Sequence, residues 1–237
     1  MISCIKILSF IIGIKLVPGA GLERATARSS AECSPRLSYP GIPAIQIVTN
    51  LSLSFKNSGI NKMIEQFFQR VLELKNIPRQ GWKEKLEINN PESVADHSYS
   101  TSVMSMILSD LDGLDSEKII KMALLHDLSE SITGDITPDN MLKDEKVNKE
   151  NIAMKQILNN LPSKIAGQYF ELWNEYQKNS SQEAKLLHDV DKLEMAFQAK
   201  FYRDKGISKE KLQTFINTAK VEIKNKNLSN IISNFIE

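Results

Sequence analysis

Apolar residues recur at helical spacing along most of the chain from Met63 onward. The first stretch gives one apolar face to a helix that Pro78 ends, made of Ile64, Phe67, Phe68, Val71 and Leu74. Residues 78–91 are expected to form a link without regular structure. Further helical patterns cover residues 94–111, 116–127, 147–161, 163–178, 181–205, 208–224 and 228–235. The sequence therefore predicts a succession of helices joined by short connections.

No stretch alternates in the manner of a β-strand, and no segment repeats. Four polar residues stand where a helix N-terminus needs a side-chain acceptor, and they are expected to be N-caps: Asp115, Ser163, Ser181 and Ser208. The pattern predicts an all-α helical bundle, with a single domain at residues 63–237. The charged stretch 143–151 is expected to be a solvated helix start, or alternatively a lid over the loop after Gly134.

The helix that follows Asp115 ends in a group of ionisable residues. Its apolar side chains leave almost no polar face, which is typical of a buried helix. It ends on His126 and Asp127, and Glu130 follows one turn later, before a break at Gly134. A buried carboxylate needs a charged partner or a metal ion. This stretch therefore predicts a functional site.

Composition separates residues 1–62 from the remainder of the chain. They carry seven Lys or Arg and two Asp or Glu, a balance of +5, whereas residues 63–237 have a balance of −4. A mildly acidic domain is not typical of a protein that binds a nucleic-acid polymer. Both cysteines, Cys4 and Cys33, precede the domain, which excludes a disulfide framework or a thiolate zinc site in it.

Residues 1–62 are expected to be a disordered extension, or the product of a start assigned too far upstream, with translation beginning at Met63. The apolar run at residues 5–14 is too short to span a bilayer, although it loosely resembles a signal peptide. We expect the domain to work in the cytoplasm and not on a membrane.

Two imidazoles and two carboxylates could form one metal site. His97, the His126–Asp127 pair and an Asp further along the chain supply nitrogen and oxygen donors, which suit a divalent ion such as Co, Mn, Zn, Fe, Ni or Mg. Adjacent residues lie ~100° apart around a helix, so His126 and Asp127 can meet one ion only at a distorted or terminal turn. Glu130 lies on the His126 face and could transfer a proton.

These residues also carry a resemblance to a known family. His97, His126–Asp127 and Asp191, with the flanks PESVADHS, HDLSESITGDITP and DKLEM, resemble the HD-domain metal-dependent phosphohydrolases. The finer pattern is similar to the HD-domain 5′-deoxynucleotidases over residues 64–202. The resemblance implies an HD-domain helical bundle that binds one divalent metal ion, hydrolyses deoxynucleoside 5′-monophosphates and forms a homodimer.

The resemblance also implies roles for individual residues. The metal ligands would be His97, His126, Asp127 and Asp191, and Glu130 would be the catalytic carboxylate. Arg79 would bind the phosphate and assist catalysis. The nucleotide would contact Trp82, Asp127, Asp135, Ile136, Thr137 and Pro138. Gln80 and Gly81 separate Arg79 from Trp82, whereas bacterial relatives have the two side by side, and Trp82 could instead fill the core.

Other interpretations of the same residues stay open. His188 and Asp189 form a second His-Asp pair, and His188 is interpreted as structural. Asp96 is interpreted as solvated or as a neighbour of a ligand. The alternative activities are nucleotide triphosphohydrolase and cyclic-nucleotide phosphodiesterase. A nucleotide-binding module without turnover is a third possibility, which the absence of a ligand or of Glu130 would have favoured.

Overall fold

The computed structural model describes residues 58–235, and in that part of the chain all regular structure is helical. An isolated antiparallel bridge joins Pro78 to Ser93. A short 3-10 turn at Leu74–Asn76 follows the first helix. The helices are α1 (Ser58–Glu73), α2 (Gln80–Leu86), α3 (Val94–Asp112), α4 (Ser116–Leu125), α5 (Glu130–Thr133), α6 (Lys143–Leu158), α7 (Ser163–Gln177), α8 (Gln182–Asp204), α9 (Lys209–Glu222) and α10 (Lys226–Phe235). The all-α prediction is confirmed.

Three helices differ from the prediction by more than two residues at an end. Helix α6 covers Lys143–Leu158, where residues 147–161 were predicted. Helix α1 begins at Ser58, so the predicted domain boundary before Met63 falls inside it; residues 1–57 of the predicted extension lie outside the described residues. Helix α2 lies in the stretch predicted to be a link. Pro78 ended the helical pattern in the sequence, but tertiary contacts stabilise this short helix, because Trp82 and Leu86 are both buried.

Polar side chains cap four of the described helices. Asp115 accepts a hydrogen bond from the backbone N–H of Lys118, and Ser181 and Ser208 cap α8 and α9 in the same way. The prediction for Ser163 is wrong, because Pro162 occupies the N-cap position and makes no side-chain cap. Asp96 completes a reciprocal capping box with Ser93 at the start of α3.

Helices α3, α4 and α8 pack together at the centre of the bundle and carry the inner face of the site. On α4, the side chains of Ile119, Met122, Ala123 and Leu125 are buried, which confirms the prediction for that face. Leu124 departs from it, with 53% of its surface exposed. The bundle thus supplies a rigid support for the residues at the end of α4.

The two C-terminal helices complete the same core. Their apolar side chains are buried in the cluster that contains Trp82 and Leu193, and the buried set from α9 and α10 is Leu212, Phe215, Ile216, Ala219, Leu228 and Ile232. Exposed apolar side chains at four-residue spacing lie instead on α3, at Tyr99, Val103, Ile107 and Leu111. None of the described helices is both long and apolar enough to span a membrane.

Candidate metal centre

Three segments bring the four predicted ligands together, as the sequence indicated. His97 lies in the first turns of α3, and Asp191 lies in the middle of α8. His126 is the C-cap residue of α4, and Asp127 follows it in a turn before α5. His126 and Asp127 therefore lie at the end of a helix, where two adjacent side chains can reach the same ion.

The donor atoms of these residues face one another. His97 Nε2 lies 3.1 Å from Asp191 Oδ1 and 3.6 Å from Asp127 Oδ2. His126 Nε2 lies 3.2 Å from Asp127 Oδ2 and 3.4 Å from His97 Nε2. Both imidazoles are almost completely buried, while the two carboxylates keep a small exposed fraction. The centre is thus enclosed by the bundle on one side and open on the other.

The second nitrogen of each imidazole is held by the protein. The Nδ1–H of His97 donates to Glu194 Oε2 at 2.7 Å, and the Nδ1–H of His126 donates to the Ala123 carbonyl at 2.6 Å. With neutral imidazoles, these bonds leave both Nε2 atoms as acceptors that face two carboxylates. Four acceptors in this arrangement need a cation, and the nitrogen and oxygen set fits a divalent metal ion.

The charges of the protein alone also indicate that the centre needs a cation. Burial and the Arg79 charge lower the pKa of His97, but hydrogen bonds to Asp191 and Glu194 outweigh them and raise it to about 10. In the protein alone, Nε2 of His97 therefore carries a proton that it donates to Asp191, and a bound metal ion would take the place of that proton. Burial acts to raise the pKa of Asp127, but His126 and then Arg79 hold it below its ordinary value. The carboxylates therefore stay ionised and attract positive charge to the point where the donors meet.

Basic side chains border the centre on two sides. Arg79 is the N-cap residue of α2, and its backbone N–H donates to the Glu92 carbonyl, next to the start of α3. Its Nη1 lies 3.3 Å from Asp127 Oδ2, and 18% of its side chain is exposed. Lys192 Nζ lies 3.1 Å from Asp191 Oδ2 and 3.6 Å from Glu222. Arg79 is therefore placed where an incoming anion could reach it.

Glu130 is buried at the first position of α5, with 2% of its surface exposed. Its Oε1 lies 4.0 Å from Lys146 Nζ, and its Oε2 has no hydrogen-bond partner among the described residues. Burial, and then the charges of Asp127 and Asp135, raise the pKa of Glu130 well above its ordinary value. A carboxyl group in this state can hold a proton near neutral pH and release it again.

The loop after α5 is fixed to its neighbours through the predicted substrate residues. Gly134 ends the helix with a φ of +72°, a conformation that suits glycine. Asp135 Oδ2 accepts from the backbone N–H of Gln80 at 2.7 Å, and Thr137 Oγ1 donates to Glu84 at 3.2 Å. Ile136 and Pro138 complete the loop. It thus lies against α2, directly after Arg79.

Trp82 lies in the core. Its ring is 2% exposed and packs against Tyr202 and Phe215 at centroid distances of 5.3 and 4.1 Å. Its Nε1–H donates to Glu92 Oε1 at 2.8 Å. These contacts favour the alternative in which Trp82 fills the core, and a nucleotide contact stays a prediction.

His188 is separated from the ligand set by its own partners. Its Nε2–H donates to the Tyr176 carbonyl at 3.0 Å, and its ring stacks on the Tyr176 ring at 4.3 Å. The neighbouring Asp189 accepts from the backbone N–H groups of Lys224 and Asn225. Both contacts support a structural interpretation of this second His-Asp pair.

Besides Lys192, four more residues of the site have no individual role in the sequence prediction, namely Glu92, Lys146, Glu150 and Glu194. Glu194 contacts His97, and its spacing of three residues from Asp191 on α8 was a usable signal, because such residues share a helix face. Lys146 and Glu150 lie in the charged stretch predicted to be solvated, yet Glu150 is 8% exposed.

Glu92, which accepts the hydrogen bond from Trp82, also lies close to Glu194. Burial, and then the Glu194 charge, raise the pKa of Glu92 to about 7.

Comparisons with known proteins agree with this arrangement. The family profile of the HD domain matches residues 71–231. The 5′-deoxynucleotidase HDDC2 of Homo sapiens is 38% identical over 183 residues, 77% of this chain and 88% of the human protein. The HDDC2 5′-deoxynucleotidase of Danio rerio is 42% identical over 63% of this chain and 74% of its own length. A crystal structure of a Pyrococcus horikoshii protein covers 73% of this chain and 95% of its own, with a TM-score of 0.59 at 35% identity. The chain therefore belongs to the HD-domain family.

Proposed function

We propose that this protein is a metal-dependent 5′-deoxynucleotidase, which hydrolyses deoxynucleoside 5′-monophosphates to a deoxynucleoside and phosphate. The observation that carries the proposal is the convergence of His97, His126, Asp127 and Asp191, with both Nε2 atoms facing carboxylate oxygens. The names of the human and zebrafish relatives supply the substrate class. One divalent ion is the proposed cofactor, and its identity is open among Co, Mn, Mg, Zn, Fe and Ni.

The residues of the chain divide the chemistry between them. The four ligands would hold the ion, which when bound would activate water and polarise the phosphoryl oxygen. Arg79 would turn from Asp127 to the phosphate, because its planar guanidinium can donate two hydrogen bonds to phosphate oxygens. Glu130 would take the proton of the attacking water and pass it to the leaving 5′-oxygen. Asp135, Ile136, Thr137 and Pro138 would contact the sugar.

The distribution of cations supports a monoester over a triphosphate. Among the basic side chains that the structure places at the centre, Arg79 has a single carboxylate contact, at 3.3 Å. Lys192 lies between Asp191 and Glu222, and Lys146 lies between Glu150 and the Ile136 carbonyl. One guanidinium and one divalent ion carry enough positive charge to attract a phosphate monoester, whereas a triphosphate would bring more negative charge than they balance.

Phosphate release from a panel of substrates tests the proposal. The full chain, stripped of metal and resupplied with Co, Mn, Mg or Zn, is given deoxy- and ribonucleoside 5′-monophosphates, deoxynucleoside triphosphates and cyclic nucleotides. We expect metal-dependent release from the deoxynucleoside monophosphates. Release from triphosphates or cyclic nucleotides alone, or no turnover by the metal-loaded protein, would refute it. The Asp127→Ala variant, which should lose the metal itself, is the control for adventitious phosphatase.

Two further expectations remain proposals that rest on the resemblance and the composition, namely a cytoplasmic location and assembly into a homodimer. The apolar faces of α9 and α10 are buried in the core of the chain itself, so a homodimer would have to use another surface. Light scattering of the purified protein at several concentrations measures the assembly directly. A monomer mass at every concentration would contradict the homodimer.

A further inference from the structure

Lys146 joins three parts of the site from its position in the first turn of α6. Its Nζ donates to the Ile136 carbonyl at 2.9 Å, within the loop that follows α5. The same Nζ lies 3.4 Å from Glu150 Oε1 and 4.0 Å from Glu130 Oε1. Its side chain is 29% exposed, and the carboxylates of Glu130 and Glu150 are 3% and 10% exposed. The ammonium group is thus the cation between two buried carboxylates and a loop carbonyl.

The two oxygens of Glu130 have different surroundings as a result. Oε1 faces the Lys146 ammonium, whereas Oε2 is buried without a hydrogen-bond partner among the described residues. The Glu130 side chain has three rotatable bonds, so without an attraction on one oxygen its carboxylate would not keep a single orientation. The position of Lys146 therefore selects the side of Glu130 on which the free oxygen lies.

We propose that Lys146 is a positioning residue for the reaction, held in place by Glu150, and that it orients Glu130 while it fixes the loop at Ile136. This inference rests on the proposed phosphomonoesterase function for its kinetic part. The charged stretch at the start of α6 is then neither simply solvated nor a free lid. Through Lys146, this stretch connects α6 to both the proton-transfer residue and the loop.

The loop has two attachments, and Lys146 provides one of them. On the opposite side, Asp135 accepts from the Gln80 backbone N–H and Thr137 donates to Glu84, which ties the loop to α2. Lys146 ties the intervening residue, Ile136, to α6. Since α2 follows Arg79 directly, removal of the Lys146 bond should alter the distance between the phosphate-binding side and the sugar-binding side of the site.

The test compares three variants of the full chain. Lys146→Met removes the charge and the donor but keeps the length of the side chain, while Lys146→Arg retains a charged donor. Lys149→Met makes the same charge change three residues later, at an exposed position of α6. A small misplacement of a catalytic group can cost about 100-fold in rate. We expect Lys146→Met to lower kcat by roughly 10- to 100-fold and to raise KM, and Lys146→Arg to restore most of kcat.

A purely stabilising ion pair would behave differently. Lys146→Met would then lower the melting temperature and leave kcat and KM at the values of Lys149→Met, which would overturn the proposal. Failure of Lys146→Arg to recover any activity lost by Lys146→Met would also overturn it. If Lys146→Met does not fold, Glu150→Gln, which loosens Lys146 and keeps its charge, should show a smaller fall in kcat; an unchanged kcat would count against the proposal.

One measurement separates this inference from the proposed function. Hydrogen exchange over residues 134–140 needs no substrate, and it should be faster in Lys146→Met than in wild type and in Lys149→Met. Equal exchange in all three proteins would overturn the attachment at Ile136, even if wild type hydrolyses deoxynucleotides. Inactivity of the metal-loaded wild type on every phosphomonoester would refute the function, while faster exchange in Lys146→Met would still support the attachment.

Discussion

The contact between Glu194 and His97 predicts how strongly the bundle controls the metal. Glu194 is 3% exposed, and its Oε2 accepts the Nδ1–H of His97 at 2.7 Å. This bond keeps a proton on Nδ1 and fixes the ring orientation in which Nε2 faces Asp127 and Asp191. In Glu194→Gln the side chain keeps its shape and can accept one neutral hydrogen bond, whereas Glu194→Ala leaves the Nδ1–H of His97 without an acceptor from residue 194.

The expected magnitude follows from the burial of this pair. A hydrogen bond to a charged group contributes about 1.5–3 kcal/mol, and 1.4 kcal/mol corresponds to about tenfold in an equilibrium constant. Substitution of residues that orient metal-bound histidines costs roughly 10- to 100-fold in affinity, which agrees with that range. We therefore expect a loss of metal affinity of about tenfold for Glu194→Gln and of up to about 100-fold for Glu194→Ala.

Competition with a metal-binding dye measures the dissociation constant in each variant, with Co or Zn as the ion. Glu171→Gln, an exposed change on α7, is the control and should bind as wild type does. The order of affinity should be wild type, then Glu194→Gln, then Glu194→Ala. If both variants bind metal as tightly as the control while their melting temperatures are unchanged, Glu194 does not orient His97 and the account of the ligand geometry is wrong.

Three other predictions concern separate parts of the site. Glu130→Gln should bind metal with wild-type affinity and lose about 100- to 10,000-fold in kcat, because it cannot accept a proton; phosphate release near the wild-type rate would remove Glu130 from the mechanism. Trp82→Phe should cost about 1–3 kcal/mol in the free energy of unfolding, because Glu92 loses its buried donor, while KM stays unchanged; a raised KM with wild-type stability in a denaturant titration would place Trp82 on the nucleotide. Burial lowers the pKa of His188 below its ordinary value of 6.5, so the unfolded chain binds more protons and stability should fall as the pH drops below 6.5. Thermal melts of His188→Phe should show a smaller loss over this window, and an equal loss would assign it to other groups.

Local patterns in the sequence predicted most of the helices. The bounds of α3 and α4 follow from apolar spacing, and a single Asp or Ser at the N-cap set several starts. Helix α2 could not be found in this way, since Asp135, which lies 55 positions further along the chain, supplies the acceptor for its first backbone N–H. Such short helices are stabilised by contacts between distant segments, and the spacing of apolar residues does not reveal these contacts.

The same distinction applies to the site. His97, His126, Asp127 and Asp191 could be predicted because their order and flanks resemble a known pattern, and the structure brings all four together. The role of Lys146 could not, because an i, i+4 pair of charges on a helix is usually exposed. Only the packing of α6 beside α5 shows that this pair faces Glu130 and the loop.

Metal titration of turnover tests the central claim most directly. The full chain is freed of metal with a chelator, and phosphate release from a deoxynucleoside 5′-monophosphate is followed as a divalent ion is added back. The account predicts no release from the stripped protein and full recovery at one equivalent of ion per chain, with no recovery in Asp127→Ala. Undiminished release by the stripped protein would contradict it, as would full activity in Asp127→Ala.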